Sequence, residues 1–240
     1  MRIAHIVLAA VAALAAPALA QPAARPAAPT AAQSRGPERF APEIAAFAAA
    51  DARQKPPPCG FLFTGSSSIR FWSSLDRDMA PLPVINRGFG GSEISDVDYY
   101  FDRVVAPYRP RAIVFYAGEN DIAAGTTPDQ VAADFARFMD LKTKALGATP
   151  VYFVSLKPSK LRFAQLDLQA QANAEIRAMT ARRKDLRFID VVPAMLQGGQ
   201  PKDIYRPDRL HMTADGYAIW TSIIRPALLE EARRPPRCKG

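Results

Sequence analysis

Short apolar runs alternate with longer helical patterns along most of this chain, and this alternation restricts the possible folds more than any other feature. Five runs have the length of buried strands: Gly60–Thr64, Pro83–Asn86, Arg111–Tyr116, Pro150–Ser155 and Leu186–Val191. The spacers between them are long enough to hold helices, so consecutive strands are predicted to be parallel and joined by right-handed crossovers. The pattern therefore predicts an α/β protein, a three-layer α/β/α sandwich around a five-stranded parallel sheet.

Helical patterns fill the spacers, and one more precedes the first strand. The predicted helices are Pro42–Arg53, Ile69–Asp76, Ile94–Val105, Pro128–Leu146, Phe163–Arg183 and Ala214–Arg233. The three consecutive prolines that begin at Pro56 prevent the first helix from continuing.

The N-terminal residues have the composition of a leader followed by a linker. Residues 1–20 contain an Ala-rich apolar run and end in the small-x-small sequence Ala18-Leu19-Ala20, which is typical of a cleavable signal peptide. A membrane anchor is the alternative, but Pro17 and the shortness of the run do not suit a spanning helix of about 20 residues. Residues 21–38 are rich in Pro and Ala and are predicted to be a disordered linker before a domain at 39–240. We expect a periplasmic or secreted protein with no stable membrane span after cleavage.

Composition excludes several functions. The chain has only two histidines and two cysteines, and removal of the leader would leave His211 as the one imidazole, so Cys₄, Cys₂His₂ and multi-histidine metal sites are excluded. The formal net charge is +8, but the positive residues are scattered and no nucleic-acid-binding motif accompanies them. We therefore expect neither a metal nor a nucleic-acid partner.

The two cysteines occupy positions that this fold would bring together. Cys59 immediately precedes the first strand, and Cys238 follows the last helix. Because helices in such a fold run antiparallel to the strands, both residues are expected at the same edge of the sheet. A Cys59–Cys238 disulfide would contribute roughly 4 kcal/mol or more in the chain-entropy model, whereas two unpaired thiols are the alternative.

Polar loops follow the predicted strands at the opposite edge, where ligands bind to parallel sheets. The first strand is followed by Gly65-Ser66-Ser67-Ser68, the second by a glycine-rich loop that contains Gly91, and the third by Gly118-Glu119-Asn120-Asp121. Each sequence alone is also compatible with a helix cap or an ordinary turn. Their convergence at one edge is what indicates a site.

The fourth element of this site is Asp208-Arg209-Leu210-His211, just before the last helix. A lone histidine is more often structural, but an aspartate three positions earlier can hold one imidazole nitrogen and leave the other to face a hydroxyl.

These four blocks resemble those of the SGNH hydrolases, the GDSL-like esterase superfamily, in order and through the whole domain. Gly65-Ser66-Ser67 stands where that family has Gly-Asp-Ser, so the resemblance implies that Ser67 is the nucleophile and that Ser66 replaces the usual aspartate. It also implies a flavodoxin-like fold with strand order 2-1-3-4-5. It further implies that the oxyanion-hole donors are Ser67, Gly91 and Asn120. Asp208 and His211 are the implied remaining members of the catalytic triad.

The resemblance implies a serine esterase that needs no cofactor and acts on a small-molecule or carbohydrate ester. Short acyl or acetyl esters, O-acetylated carbohydrate and lysophospholipid are all compatible substrates. An O-acyltransferase to a sugar hydroxyl, with the same residues, and a non-catalytic binding module are the alternatives. Lys157, Ser159 and Arg162 follow the fourth strand, so they are candidate substrate contacts, with a purely structural loop as the alternative. The oligomeric state is left open.

Overall fold

The computed structural model describes residues 36–238. The predicted signal peptide at 1–20 and the predicted linker up to residue 35 lie outside the described residues. The first element is a 3₁₀ turn, Pro37–Phe40, which begins two residues before the predicted start of the domain at Arg39. The Tyr100 hydroxyl donates a hydrogen bond of 3.1 Å to the Pro37 carbonyl and so attaches this turn to the domain.

Within residues 36–238, five parallel strands form the central sheet in the order β2-β1-β3-β4-β5, which confirms the predicted topology. The strands are β1 Phe61–Gly65, β2 Val84–Gly88, β3 Ala112–Tyr116, β4 Val151–Val154 and β5 Leu186–Ile189. A small antiparallel hairpin, β6 Leu196–Gln197 and β7 Gln200–Pro201, lies outside this sheet.

Helices cover both faces of the sheet. They are α1 Ala41–Arg53, α2 Ser67–Arg70, α3 Leu75–Met79, α4 Ile94–Tyr99, α5 Phe101–Val104, α6 Glu119–Ala123, α7 Pro128–Leu146, α8 Leu166–Met179, α9 Val192–Met195 and α10 Ala214–Ala232. Helix α7 has the predicted bounds because Thr127 caps it, accepting from the Gln130 amide at 3.3 Å, while Pro128 occupies its first turn. None of the helices in residues 36–238 has the length and hydropathy needed to cross a membrane.

The predicted helix Ile69–Asp76 is wrong as one unit, because the chain forms α2 and α3 with a turn between them. Asp78 Oδ2 accepts from Trp72 Nε1 at 2.8 Å and from Ser74 Oγ at 2.5 Å, which stabilises this turn. The turn also lets the Trp72 ring reach the core, where it is 1% exposed. The predicted helix Ile94–Val105 is likewise divided, at Tyr100.

Alternate strand residues point to two separate apolar layers, as expected for a sheet that is buried on both faces. Leu62, Ile113 and Phe153 pack under α1, α4, α5, α7 and α8. On the other face Phe63 and Val114 pack under α2, α3, α9 and α10. The sheet is thereby packed between helices on both faces, which fixes the positions of the loops at its carboxyl edge.

The edge opposite those loops is closed by the predicted disulfide. Cys59 and Cys238 are bonded, with their Cα atoms 5.7 Å apart. This confirms that the C-terminal end of α10 returns to the edge where β1 begins.

Candidate active site

Ser67 lies at a sharp turn between β1 and α2. Gly65 has φ +123°, and a Cβ added there would come within 1.9 Å of the Tyr116 carbonyl oxygen, so only glycine fits. The turn is fixed by the Ser66 amide, which donates to that same carbonyl at 2.8 Å. Ser66 and Ser68 are each only 3% exposed, whereas Ser67 is half-buried and its hydroxyl reaches the site.

The Ser67 hydroxyl begins a continuous chain of hydrogen-bonding groups. Its Oγ lies 3.0 Å from His211 Nε2, and His211 Nδ1 lies 2.8 Å from Asp208 Oδ2. The other oxygen, Asp208 Oδ1, accepts from the Leu210 and His211 amides at 2.9 Å each. An anionic Asp208 selects the tautomer with the proton on Nδ1, which leaves the Nε2 lone pair directed at the serine.

The environment of Asp208 keeps it ionised. Burial raises the pKa of this carboxyl, but the hydrogen bonds from the His211 ring and from the two backbone amides outweigh burial and lower the pKa to about 2. The imidazole itself is packed edge-to-face against the Phe71 ring, with the ring centroids 4.8 Å apart. Contact and charge together hold His211 in one orientation.

Three N–H groups are candidate oxyanion donors: the Ser67 amide, the Gly91 amide and the Asn120 side chain. Gly91 has φ +80°, and nothing lies within 4 Å of the position of a Cβ on it, so its backbone is open to a ligand. Within residues 36–238 the Ser67 and Gly91 amides have no acceptor. Asn120 Nδ2 donates to the Ser92 carbonyl at 2.9 Å, which orients its second N–H. These groups are of the type that stabilises a developing oxyanion.

A buried carboxyl in α6, that of Asp121, joins this helix to the first residue of α4. Asp121 Oδ1 accepts from the Ile94 amide at 3.0 Å, while Oδ2 is buried without a partner among the described residues. Burial raises the pKa of Asp121 to about 7, although the hydrogen bond from Ile94 partly opposes this. Asp98, close by, has its pKa raised to about 7 by burial as well.

We expect Asp121→Asn to flatten the pH dependence of stability. The folded-state pKa of about 7 lies above the ordinary carboxyl value of 3.8, so this group favours folding at low pH and loses that contribution as the pH rises from about 4 to about 7. At about 1.4 kcal/mol per pKa unit, the difference corresponds to up to about 4 kcal/mol. The asparagine keeps the acceptor for Ile94 and carries no charge, so urea unfolding at pH 8 should show a variant more stable than wild type, with little difference at pH 4. Equal pH slopes for Asp121→Asn and for the exposed control Asp76→Asn would contradict this.

The three candidate substrate contacts after β4 are directed inward instead. Lys157 and Ser159 are fully buried, and the Ser159 hydroxyl donates to Glu119 Oε1 at 3.2 Å. The Arg162 guanidinium is 17% exposed and lies 3.6 Å from the same oxygen. The Ser159 hydroxyl is therefore bonded inside the protein and Arg162 also points to Glu119, so substrate contact by these two residues stays a prediction.

Sequence reasoning missed two features of the site. Phe71 was not predicted to lie against His211, and no local pattern distinguishes it from a core aromatic residue. Glu119 was not predicted to pair with Lys157, although a signal existed. The two residues carry opposite charges and follow the neighbouring strands β3 and β4.

The model of the GDSL-like Lipase/Acylhydrolase family matches residues 58–219. A comparison with curated protein sequences finds no match.

Solved structures share the fold at low sequence identity. A protein from Bacteroides fragilis assigned as an acylhydrolase is 22% identical, with a TM-score of 0.65 and coverage of 80% of this chain and 95% of that one. A GDSL-like lipase from Bacteroides thetaiotaomicron is 20% identical, with a TM-score of 0.63 and coverage of 81% and 98%. The lipase/acylhydrolase from Enterococcus faecalis is 19% identical, with a TM-score of 0.58 and coverage of 74% and 98%. The structures show the common fold, and the family model spans every block of the site. This chain belongs to the GDSL-like lipase/acylhydrolase family and is a hydrolase that acts on ester bonds.

Proposed function

We propose that the protein is a serine esterase that cleaves carboxylic esters through an acyl-enzyme on Ser67. One observation carries the proposal, namely the unbroken chain Ser67 Oγ–His211 Nε2 at 3.0 Å and His211 Nδ1–Asp208 Oδ2 at 2.8 Å. Both distances lie within the range needed for proton transfer from the hydroxyl and for orientation of the base.

In the first half-reaction, His211 Nε2 takes the Ser67 hydroxyl proton while Oγ bonds to the ester carbonyl carbon. The carbonyl oxygen becomes an oxyanion, which accepts from the Ser67 and Gly91 amides and from Asn120 Nδ2. Collapse of this intermediate breaks the carbon–oxygen bond to the alcohol. The leaving alcohol receives the proton from His211, so the acyl group stays on Ser67 and the imidazole is neutral again.

In the second half-reaction a water molecule replaces the alcohol. His211 Nε2 removes its proton as the hydroxide oxygen bonds to the acyl carbon, and the same donors hold the second oxyanion. Collapse returns the proton to Ser67 Oγ and releases the carboxylic acid. Asp208 stays anionic throughout, consistent with its pKa of about 2.

We propose that the substrates are short acyl or acetyl esters. O-acetylated carbohydrate and lysophospholipid are the two classes of natural ester to compare. The test is a panel of p-nitrophenyl esters of rising chain length, together with acetylated xylan and lysophosphatidylcholine. We expect the highest kcat/KM for the shortest esters and release of acid without any sugar acceptor. Acid release only when a sugar is present would indicate the transferase instead. Inertness toward every ester and toward fluorophosphonates would indicate a binding module.

Asn120→Ala is expected to lower kcat by about 10²- to 10³-fold with a much smaller change in KM, because an oxyanion donor acts mainly in the transition state. Steady-state kinetics on p-nitrophenyl acetate measure both constants. Asn120→Asp should be at least as impaired, because a carboxylate would repel the oxyanion. If Asn120→Ala keeps kcat within threefold of wild type, Asn120 is not such a donor.

We also propose that the protein is periplasmic or secreted. The leader-like sequence of residues 1–20 supports this location. So does the Cys59–Cys238 disulfide, because disulfides persist in oxidising compartments. Fractionation of cells that express the full chain would test it, and recovery of the oxidised protein from the cytosol alone would contradict it.

A further inference from the structure

A buried ion pair lies at the same carboxyl edge of the sheet as the proposed catalytic residues. Lys157 Nζ is 2.9 Å from Glu119 Oε2, and the side chains are 0% and 4% exposed. Both residues lie at the carboxyl edge of the sheet, Lys157 in the loop after β4 and Glu119 at the first position of α6, after β3. Among the described residues, neither side chain is hydrogen-bonded to Ser67, His211 or Asp208, so the proposed mechanism does not use them.

This pair lies between the two halves of the site. Glu119 is the residue before Asn120, the side-chain donor for the oxyanion. Lys157 Nζ also donates, at 3.0 Å, to the carbonyl of Leu210, the residue before His211. A single ammonium group therefore links the backbone next to the base with the side chain next to the oxyanion donor.

The Glu119 carboxylate is saturated with donors, which fixes its position. Oε2 also accepts from the Tyr116 hydroxyl at 2.6 Å, and Oε1 accepts from the Ser159 hydroxyl at 3.2 Å, with the Arg162 guanidinium at 3.6 Å. Burial raises the pKa of Glu119, but the charges of Lys157 and Arg162 outweigh it and the pKa is lowered overall.

The loop that carries Asp208 and His211 has further attachments to the same β4 loop. The Tyr205 hydroxyl donates to the Pro158 carbonyl, and the Leu161 amide donates to the Arg209 carbonyl at 2.9 Å. The loop is therefore tied to the β4 loop both before and after Asp208.

Stability alone does not explain such a pair. Desolvation of two charges offsets most of their attraction, so a buried ion pair is a weak source of stability, although one partner without the other is costly. Its main effect is directional, because an ammonium with two fixed acceptors sets the distance between the elements that it joins.

We propose that Lys157 and Glu119 are positioning residues that hold the His211 loop at a fixed distance from α6, the helix that carries Asn120. The proposal rests on the serine esterase function proposed above, since positioning matters only if His211 and Asn120 act on the same substrate.

The chain offers a matched control for the test. Lys142 is also 0% exposed, pairs with Asp185, and donates to the Gly147 carbonyl at 2.9 Å. Gly147 and Asp185 precede β4 and β5, so this second buried lysine lies at the edge of the sheet opposite Ser67. Lys157→Met and Lys142→Met each remove one buried ammonium, and both are expected to destabilise the fold.

We expect only Lys157→Met to impair catalysis. In folded protein, kcat for p-nitrophenyl acetate should fall by about 100-fold with KM within about twofold, the scale expected for a displacement of about 1 Å at the reacting groups. Lys142→Met should keep kcat within about twofold of wild type under the same conditions. The proton on His211 Nδ1 is expected to give a far-downfield NMR signal in wild type, and this signal should be lost or broadened in Lys157→Met and retained in Lys142→Met.

A milder pair of variants decides the question if Lys157→Met does not fold. Glu119→Gln removes the charge that pairs with Lys157 Nζ, whereas Asp185→Asn removes the charge that pairs with Lys142 Nζ at the remote edge. Only Glu119→Gln should lower kcat. Equal kcat values and equal NMR signals for both members of either pair would overturn the proposal, while an active wild type would leave the esterase function standing. A wild type that hydrolyses no ester would instead overturn the proposed function.

Discussion

His211→Ala is expected to lower kcat for ester hydrolysis by about 10⁴-fold or more, because the variant loses both the base and the acid of the proposed cycle. His211 is the one histidine in residues 36–238, so no second imidazole is available there to take its place. Asp208→Asn should lose about 10⁴-fold as well, because an amide no longer selects the tautomer with the proton on Nδ1. Steady-state kinetics with p-nitrophenyl acetate at neutral pH measure both effects.

Asp203→Asn is the matched control for these variants. Asp203 lies on the same loop, its side chain is 94% exposed, and it pairs with Lys160 and not with the imidazole. Its kcat should stay within about twofold of wild type, since exposed ion pairs contribute little. A His211→Ala protein that keeps a tenth of the wild-type kcat would contradict the assignment of the base.

Removal of the disulfide is expected to cost about 5 kcal/mol of unfolding free energy without loss of activity. Cys59 and Cys238 are 179 positions apart, and the chain-entropy model gives about 5 kcal/mol for a loop of that length. Because the bond lies at the sheet edge opposite Ser67, kcat of folded Cys59→Ser/Cys238→Ser should equal that of wild type. Urea unfolding with and without a thiol reductant measures the effect.

The double variant is also the control for reduction. Dithiothreitol should lower the unfolding midpoint of wild type to that of Cys59→Ser/Cys238→Ser, and it should not change the midpoint of the variant. Identical midpoints for oxidised and reduced wild type would show that the bond does not stabilise the domain.

The sheet was predictable because its strands carry apolar residues on both faces and the spacers have helical length. The positions where helices are interrupted were not predictable from the sequence. An apolar pattern over Ile69–Asp76 is the same for one helix as for two short helices around a turn. Here the turn depends on Asp78, which accepts from Trp72 and Ser74. Such tertiary hydrogen bonds leave no periodic trace in the sequence.

The site also depends on tertiary contacts that the sequence pattern does not show. Position after a strand places a residue at the correct edge, and this rule placed Ser67 and Asn120 there, whereas His211 was placed by its position just before the last helix. It does not determine whether a side chain faces solvent or the interior, so Lys157 and Ser159 were expected to face substrate. Their direction is determined by Glu119, which is 38 to 40 positions away in the chain and lies on the loop of a neighbouring strand.

The central claim, that Ser67 is the nucleophile, is tested most directly by fluorophosphonate labelling followed by mass-spectrometric mapping of the modified peptide. The geometry predicts a single label on Ser67, no label on Ser67→Ala, and strongly slowed labelling of His211→Ala. Ser66→Ala should still be labelled on Ser67, because Ser66 is buried in wild type and is not the reacting residue. A label on Ser66 or Ser68, or labelling that persists in Ser67→Ala, would contradict the account.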